Sequence, residues 1–188
     1  MARVRVATTK DLALLVRHRR GMWVDIAHFT EDQLDEGDRV YRRWARPRLR
    51  SGTLVGFLLE DAKGQALASG CLWMMPRQPR PMAGRRTVPY LLSMFTEPAH
   101  RGKGYATRIV REAVRWARAH GYDAVTLHAS DYGESIYRRE GFARTMEMRL
   151  RLRKKGRGTW KRRRPAQVTT RGRGGSRPSR SSSPPSRP

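Results

Sequence analysis

Arg101-Gly102-Lys103-Gly104-Tyr105-Ala106-Thr107 sets two glycines and two full positive charges where a strand-like run gives way to a helix-like one. Upstream, Pro89 to Phe95 has the aromatic and branched composition of a β-strand, and Thr96 to His100 has that of a turn. Downstream, Ala106, Ile109, Val110, Ala113, Val114 and Ala117 recur on one helical face. The first amides of such a helix have no acceptor inside it. Small residues let an anion come close to them, and the helix dipole favours negative charge there. A pyrophosphate fits this arrangement. The spacing lacks the Gly-Lys-Ser/Thr ending of a Walker loop. It also lacks the three glycines and the acid about 20 residues on that mark a dinucleotide fingerprint.

Further residue types suited to chemistry follow in order. The strand-like run Ala124 to Ser130 leads into Tyr137-Arg138-Arg139-Glu140-Gly141-Phe142, and then Glu147-Met148-Arg149-Leu150. A tyrosine phenol, with an ordinary pKa near 10, is a proton donor at neutral pH. Glu97 stands just after the first strand as a candidate base, acting directly or through water, and is equally at home as a turn residue before Pro98. His128 shares a strand face with Thr126 and Ser130, so its ring either faces a site or fills a layer of the sheet. Ser130, Asp131 and Ser135 are good turn and cap residues. Cys71, the only cysteine, lies in the apolar run Ala66 to Met75 and reads as a packed strand thiol. The five histidines show no paired ligand spacing, so no metal is expected.

Arg101-x-x-Gly104-x-Ala106 between strand and helix, followed by Tyr137-x-x-x-Gly141-Phe142, resembles the acetyl-CoA signature of the GCN5-related N-acetyltransferase (GNAT) superfamily. The resemblance implies an acetyl-CoA-dependent N-acetyltransferase that passes the acetyl group directly to a primary amine of a small molecule or amino acid. It further implies that two parallel strands, 88–95 and 124–129, part to form a wedge for the pantetheine arm. Met94, Phe95 and Thr96 would then give backbone contacts. Arg101, Gly102, Lys103, Gly104, Tyr105, Ala106 and Thr107 would hold the pyrophosphate, and Ser130 the pantetheine. Arg108 would either add charge there or stand on a solvated face. Tyr137 would be the general acid and Glu97 the base. The family's acceptor site implies roles for the first two helices and the loop at 76–87, and many of its members are homodimers.

The elements that must position these residues can be read along the chain. Val4 to Val6 alternates as a strand, and Thr8 to Asp11 caps a helix bearing Leu12, Leu15, Val16, Met22, Trp23 and Ile26. A second helix follows Thr30 and carries Leu34, Val40, Tyr41 and Trp44, with Pro47 and Gly52 as its punctuation. Thr53 to Leu59 and Ala66 to Met74 form a hairpin through Asp61-Ala-Lys-Gly64. The expected class is α/β (α+β), a mixed central sheet flanked by helices in the order β-α-α-β-β-β-α-β-α-β. Glu31, Asp32, Asp35, Glu36 and Asp38 either attract a cationic amine or serve the first turns of a capped helix, with Gln33 closing a capping box.

Composition frames the rest. The chain has 188 residues, 41 Lys plus Arg against 16 Asp plus Glu, and a net charge of +25. Fourteen of those basic residues, and no acidic one, lie beyond residue 150. Residues 1–152 read as one catalytic domain, and 153–188 as a basic Arg/Gly/Ser/Pro-rich tail with too little to bury to be ordered. Lys161 to Arg164 and the Arg-Gly run at 171–175 make the tail a candidate for weak nucleic-acid binding, or a solubilising extension. With no long apolar run and with Arg3 and Arg5 near the start, the expected location is the cytoplasm, without a membrane partner. The competing classes are an acyl-CoA-binding relative without turnover and a ribosome- or nucleic-acid-associated protein.

Overall fold

The computed structural model describes residues 2–78 and 86–150. The basic tail, and most of the loop expected to border the acceptor, lie outside the described residues. Five strands form one sheet in the order β1 (Arg3–Val6), β2 (Leu54–Glu60), β3 (Ala66–Pro76), β4 (Thr87–Thr96), β5 (Thr126–Leu127). The first three pairings are antiparallel, and β4 pairs with β5 in parallel. Helices α1 (Leu12–Ile26) and α2 (Glu31–Ser51) cover one face, and α3 (Tyr105–Ala119) covers the other. Helix α4 (Glu134–Arg139) adjoins α3.

Every residue of β2 is buried, because side chains of both parities meet a helix layer. Val55, Phe57 and Leu59 pack with Ile109, Val110, Ala113 and Ala117 of α3. Leu54 and Leu58 pack with Leu12, Leu15 and Val16 of α1 and with Tyr41 and Ala45 of α2. The local signals act as read. Thr8 and Thr30 each form a capping box, with Asp11 and Gln33. The hairpin turn closes through Asp61, whose Oδ1 accepts from the amides of Lys63 and Gln65.

Three expectations are corrected. Pro47 does not end α2, which runs on to Ser51 and stops at Gly52 in the left-handed conformation. Proline removes one ladder bond, the one to Arg43 O, and the helix continues through it. Strand β5 is two residues long instead of six, since it keeps a partner only at Tyr90 and Leu91. The final strand expected at 147–150 does not form. Met146, Met148 and Leu150 are exposed there, so no apolar face draws the segment onto the sheet.

Candidate active site

Strand β4 is paired on both sides only as far as Leu91. Beyond that residue its outer edge is free of β5, so Leu92 to Thr96 offer backbone groups to a ligand. The strand also bulges there. Ser69 faces Phe95 and Cys71 faces Leu92, leaving Gly70 opposite both Ser93 and Met94. Ser93 has φ of 54°, an unusual left-handed setting for a residue with a side chain. Gly70 is required, because a Cβ there would run into Met94 Sδ and lie 2.8 Å from Ile109 Cγ2. The bulge sends Met94 toward the α3 core and Phe95 toward α1, where the Phe95 ring tilts against His18 at 5.1 Å.

Past β4 a 3-10 turn, Pro98–His100, leads to the glycine loop. Gly102 and Gly104 both have positive φ, 76° and 74°, which turns the chain so that successive amides face one way. The first backbone hydrogen bond of α3 is Arg108 N–H to Gly104 O at 3.2 Å. Among the described residues, the amides of Gly102, Lys103, Gly104, Tyr105, Ala106 and Thr107 have no protein acceptor. Six adjacent donors at a helix start suit a pyrophosphate.

The charged side chains of this loop are less free than its backbone. Arg101 Nη2 lies 2.6 Å from Asp25 Oδ2 of α1, and its Nε donates to Thr96 O at 3.1 Å. Lys103 Nζ reaches Ala99 O at 3.4 Å. Arg108 turns to β1 and donates to Ala2 O at 2.6 Å.

Tyr137 lies on the α3 side of the sheet, half-buried, with Phe142 at its edge 5.8 Å away. Burial pushes its phenol up to about 12, so it holds its proton throughout the physiological range. Gly133 is small because Tyr137 needs the room: a Cβ would stand 2.9 Å from Tyr137 Cε2. Ser130 Oγ accepts from the Gly133 amide at 3.3 Å, the turn role considered for it.

Glu97 lies on the opposite, α1 side, with its side chain 26% exposed. Its Oε1 is 3.1 Å from Arg17 Nη2 and 3.2 Å from His18 Nε2. His18 is wholly buried, and its Nδ1 lies 2.8 Å from Ser69 Oγ. Burial lowers the His18 pKa, with Glu97 opposing the effect and Arg17 adding to it, so the ring is neutral. Arg17 Nη2 also lies 3.3 Å from His18 Nε2, so this ring nitrogen faces both a guanidinium and the Glu97 carboxylate, while Nδ1 meets the Ser69 hydroxyl. The sequence offered one clue to His18. It sits three residues after Leu15 and four before Met22, on the apolar stripe of α1.

Other candidates have structural work. His128 is tied between Tyr90 Oη and Glu147 Oε1, the latter at 2.7 Å, and lowers the Glu147 carboxyl. Glu31, Asp35 and Asp38 all bind Arg20, at 2.5, 2.7 and 2.9 Å, so these three acids are spent within the α1–α2 pair. Cys71 is buried, and burial lifts its thiol to about 12. Among the described residues no group of three His, Cys, Asp or Glu could hold a metal, and no helix is long and apolar enough to cross a membrane.

A mixed sheet that parts beside a helix start with unpartnered amides is suited to a cosubstrate that carries a pyrophosphate and an extended arm. The chain belongs to the acetyltransferase (GNAT) family, whose profile matches residues 19–146. A GCN5-related N-acetyltransferase from Ralstonia eutropha superposes with a TM-score of 0.73 at 27% identity, over 81% of this chain and 99% of that one. A predicted acetyltransferase from Clostridium acetobutylicum, solved with acetyl-CoA, gives 0.72 at 27% identity over 81% and 97%. Glucosamine 6-phosphate N-acetyltransferase of Trypanosoma brucei brucei is 26% identical over 106 residues, 56% of this chain and 70% of that protein.

Proposed function

We propose that the protein transfers the acetyl group of acetyl-CoA directly to a primary amine of a small molecule or amino acid. The observation that carries this reading is the run of six unpartnered amides from Gly102 to Thr107, one short turn beyond the free edge of β4. Acetyl-CoA brings the thioester, an acyl group ready for an amine. The chain must hold the pyrophosphate, strip a proton from the amine and return one to the thiolate.

The Gly102 to Thr107 amides bind the pyrophosphate, and Met94, Phe95 and Thr96 border the arm. Lys103 adds charge at the cradle, and Ser130 contacts the pantetheine arm. Glu97 takes the amine proton, directly or through water. Its carboxylate is pinned by Arg17 and by a neutral His18 that Ser69 orients. Tyr137 donates to the departing sulfur. Burial keeps that phenol protonated, so the proton is in place when the thiolate forms. No acyl-enzyme is needed, because the single cysteine is shut inside the α1–α2 core.

Calorimetry of acetyl-CoA with the full chain tests this reading. Gly104→Ala carries the strain of a side chain at positive φ, and Gly104→Glu adds bulk and negative charge. We expect saturable binding by the native chain, weakened binding with alanine and none with glutamate, all three proteins melting cooperatively. Unaltered binding by the glutamate variant would place the cofactor elsewhere.

A second reading concerns the tail. Fourteen basic residues without an acid beyond residue 150 support weak, sequence-independent nucleic-acid binding in addition to catalysis. RNA affinity whose salt dependence is unchanged after the tail arginines are replaced by glutamine would rule it out.

A further inference from the structure

On α1, next to the buried His18, Arg19 stands apart from its neighbours in having no hydrogen-bond acceptor. Its guanidinium carbon is 4.5 Å from the centre of the Tyr41 ring and 5.5 Å from that of Trp23. A Cβ at Gly37 would lie 4.0 Å from Arg19 Nη1, an ordinary contact, so the α2 backbone runs alongside the fork without crowding it. Asp38 is the nearest acid to act on it, and the Asp38 carboxylate is already bonded to Arg20 at 2.9 Å. Arg5, Arg20 and Arg101 all end on carboxylates. Among the described residues Arg19 ends on none, although it is half-buried and desolvation works against its charge. A guanidinium carries five donors in a fixed fork, and leaving them dry is costly.

Tyr41 supplies a second, independent observation. It is 6% exposed, and its hydroxyl lies beside Ser93 and the Cys71 thiol without a hydrogen bond of normal geometry. Burial raises its pKa, so it remains a donor. Ser93 is the left-handed residue of the β4 bulge, where the strand loses its outer partner. The Arg19 guanidinium thus lies over a ring whose hydroxyl is buried against the β4 bulge, so the aromatic platform is anchored in the core while the fork itself keeps no acceptor. Trp44 stacks on Tyr41 at 5.7 Å and meets Trp73 edge-on at 5.5 Å, which walls one side with rings.

We infer that the acceptor amine carries an oxyanion, a carboxylate or a phosphate, and that Arg19 binds it, its guanidinium held in place by the Tyr41 and Trp23 rings. This rests on the transferase reading, in which the amine reaches β4 from the side where Glu97 lies. Once bound, the oxyanion satisfies the fork and sets the distance from the anionic group to the attacking nitrogen. The rings favour Arg in this position over Lys, whose ammonium neither stacks nor presents two parallel donors.

The test separates this inference from the transferase reading. The Arg19 Nε–Hε resonance of the full chain, assigned by its loss in Arg19→Lys, is followed during titration with acetate, inorganic phosphate and acetamide at constant ionic strength. Each titration is run with and without CoA. A saturable shift with acetate or phosphate, absent with acetamide, is expected, and the anion that produces it identifies the class. No saturable shift with either anion overturns the inference whether or not CoA binds; failure of CoA to bind counts against the transferase reading alone. Rates give a second measure. L-phenylalanine is compared with phenethylamine, and glucosamine 6-phosphate with glucosamine. The anionic member of a pair should lead about tenfold in kcat/KM, a lead that Arg19→Met removes through KM while acetyl-CoA affinity holds. Faster turnover of the neutral members would refute it.

Discussion

The glycine loop after β4 and the neighbouring surface of α1 handle polar groups in opposite ways. In the loop, six consecutive amides are left without protein acceptors, and glycine geometry alone aims them. On α1, the polar side chains next to the site are mostly tied: Arg17 and His18 to Glu97, Arg20 to three acids, Asp25 to Arg101. The loop is a receptacle made of backbone, indifferent to which side chains surround it. The helix is a scaffold of side chains that fixes one carboxylate. Such a division teaches where binding and chemistry should respond separately to mutation, the cofactor to the loop and the proton transfer to α1.

The largest effect expected from breaking that division is at Glu97. Glu97→Gln keeps the shape and the contact to Arg17 but cannot take a proton. We expect kcat to fall on the order of 100- to 1000-fold, the range for a lost general base. Acetyl-CoA affinity by calorimetry should stay within about twofold, since no cradle amide is touched. A fall of affinity in step with kcat would show that the two regions act as one. A rate loss below about tenfold would instead put the base on a bound water or another residue.

Gly21 is where the two regions touch. It lies in α1, and a Cβ there would stand 2.6 Å from Phe95 Cζ, on the free part of β4. Gly21→Ala gains up to about 1 kcal/mol of helix propensity but must displace a ring, and overpacking costs about 1–3 kcal/mol. The net expectation is a less stable protein with weaker acetyl-CoA binding, because the displaced Phe95 moves the strand edge. In a Phe95→Leu background the same substitution should become neutral or stabilising. Urea denaturation of the four proteins gives the coupling directly, and additivity would mean that α1 and β4 are not in register through this contact.

The same contrast explains what could be read in advance. Gly102, Gly104 and the apolar face of α3 announce themselves because backbone geometry demands particular residue types at particular spacings. Thr30 with Gln33 and the Asp61 turn are legible for the same reason. His18, Arg19, Ser69 and Tyr41 are not, since their roles arise from contacts between residues 51 or 22 positions apart in the chain. Pro47 misled because it costs one ladder bond in a helix already held against the core by Leu34, Tyr41 and Ala45. The residues 147–150 have strand-like alternation, but their apolar side chains find no partner layer, so local pattern gave way to the lack of a surface to bury against.

The smallest effect expected belongs to an ion pair that lies on α1's side of the molecule yet away from Glu97. Asp11 Oδ1 and Oδ2 each accept from Arg5 at 2.8 Å, and Oδ2 also accepts from the Thr8 amide at 2.7 Å. The Arg5 guanidinium, aided by Thr8, holds the Asp11 carboxyl down to about 2 from an ordinary 3.8. Because the folded pKa is the lower one, the stabilisation is fully present above about pH 4 and is lost as pH falls through about 2. For a partly exposed group the contribution is about 1–2 kcal/mol after solvent screening. Asp11→Asn should therefore lower stability by that amount at pH 7, with the gap to the native chain closing between about pH 4 and 2 in urea titrations. Neither acetyl-CoA affinity nor kcat should change. A change in kcat would mean that the start of α1 transmits strain to Glu97, and the division between scaffold and chemistry would have to be drawn further along the helix.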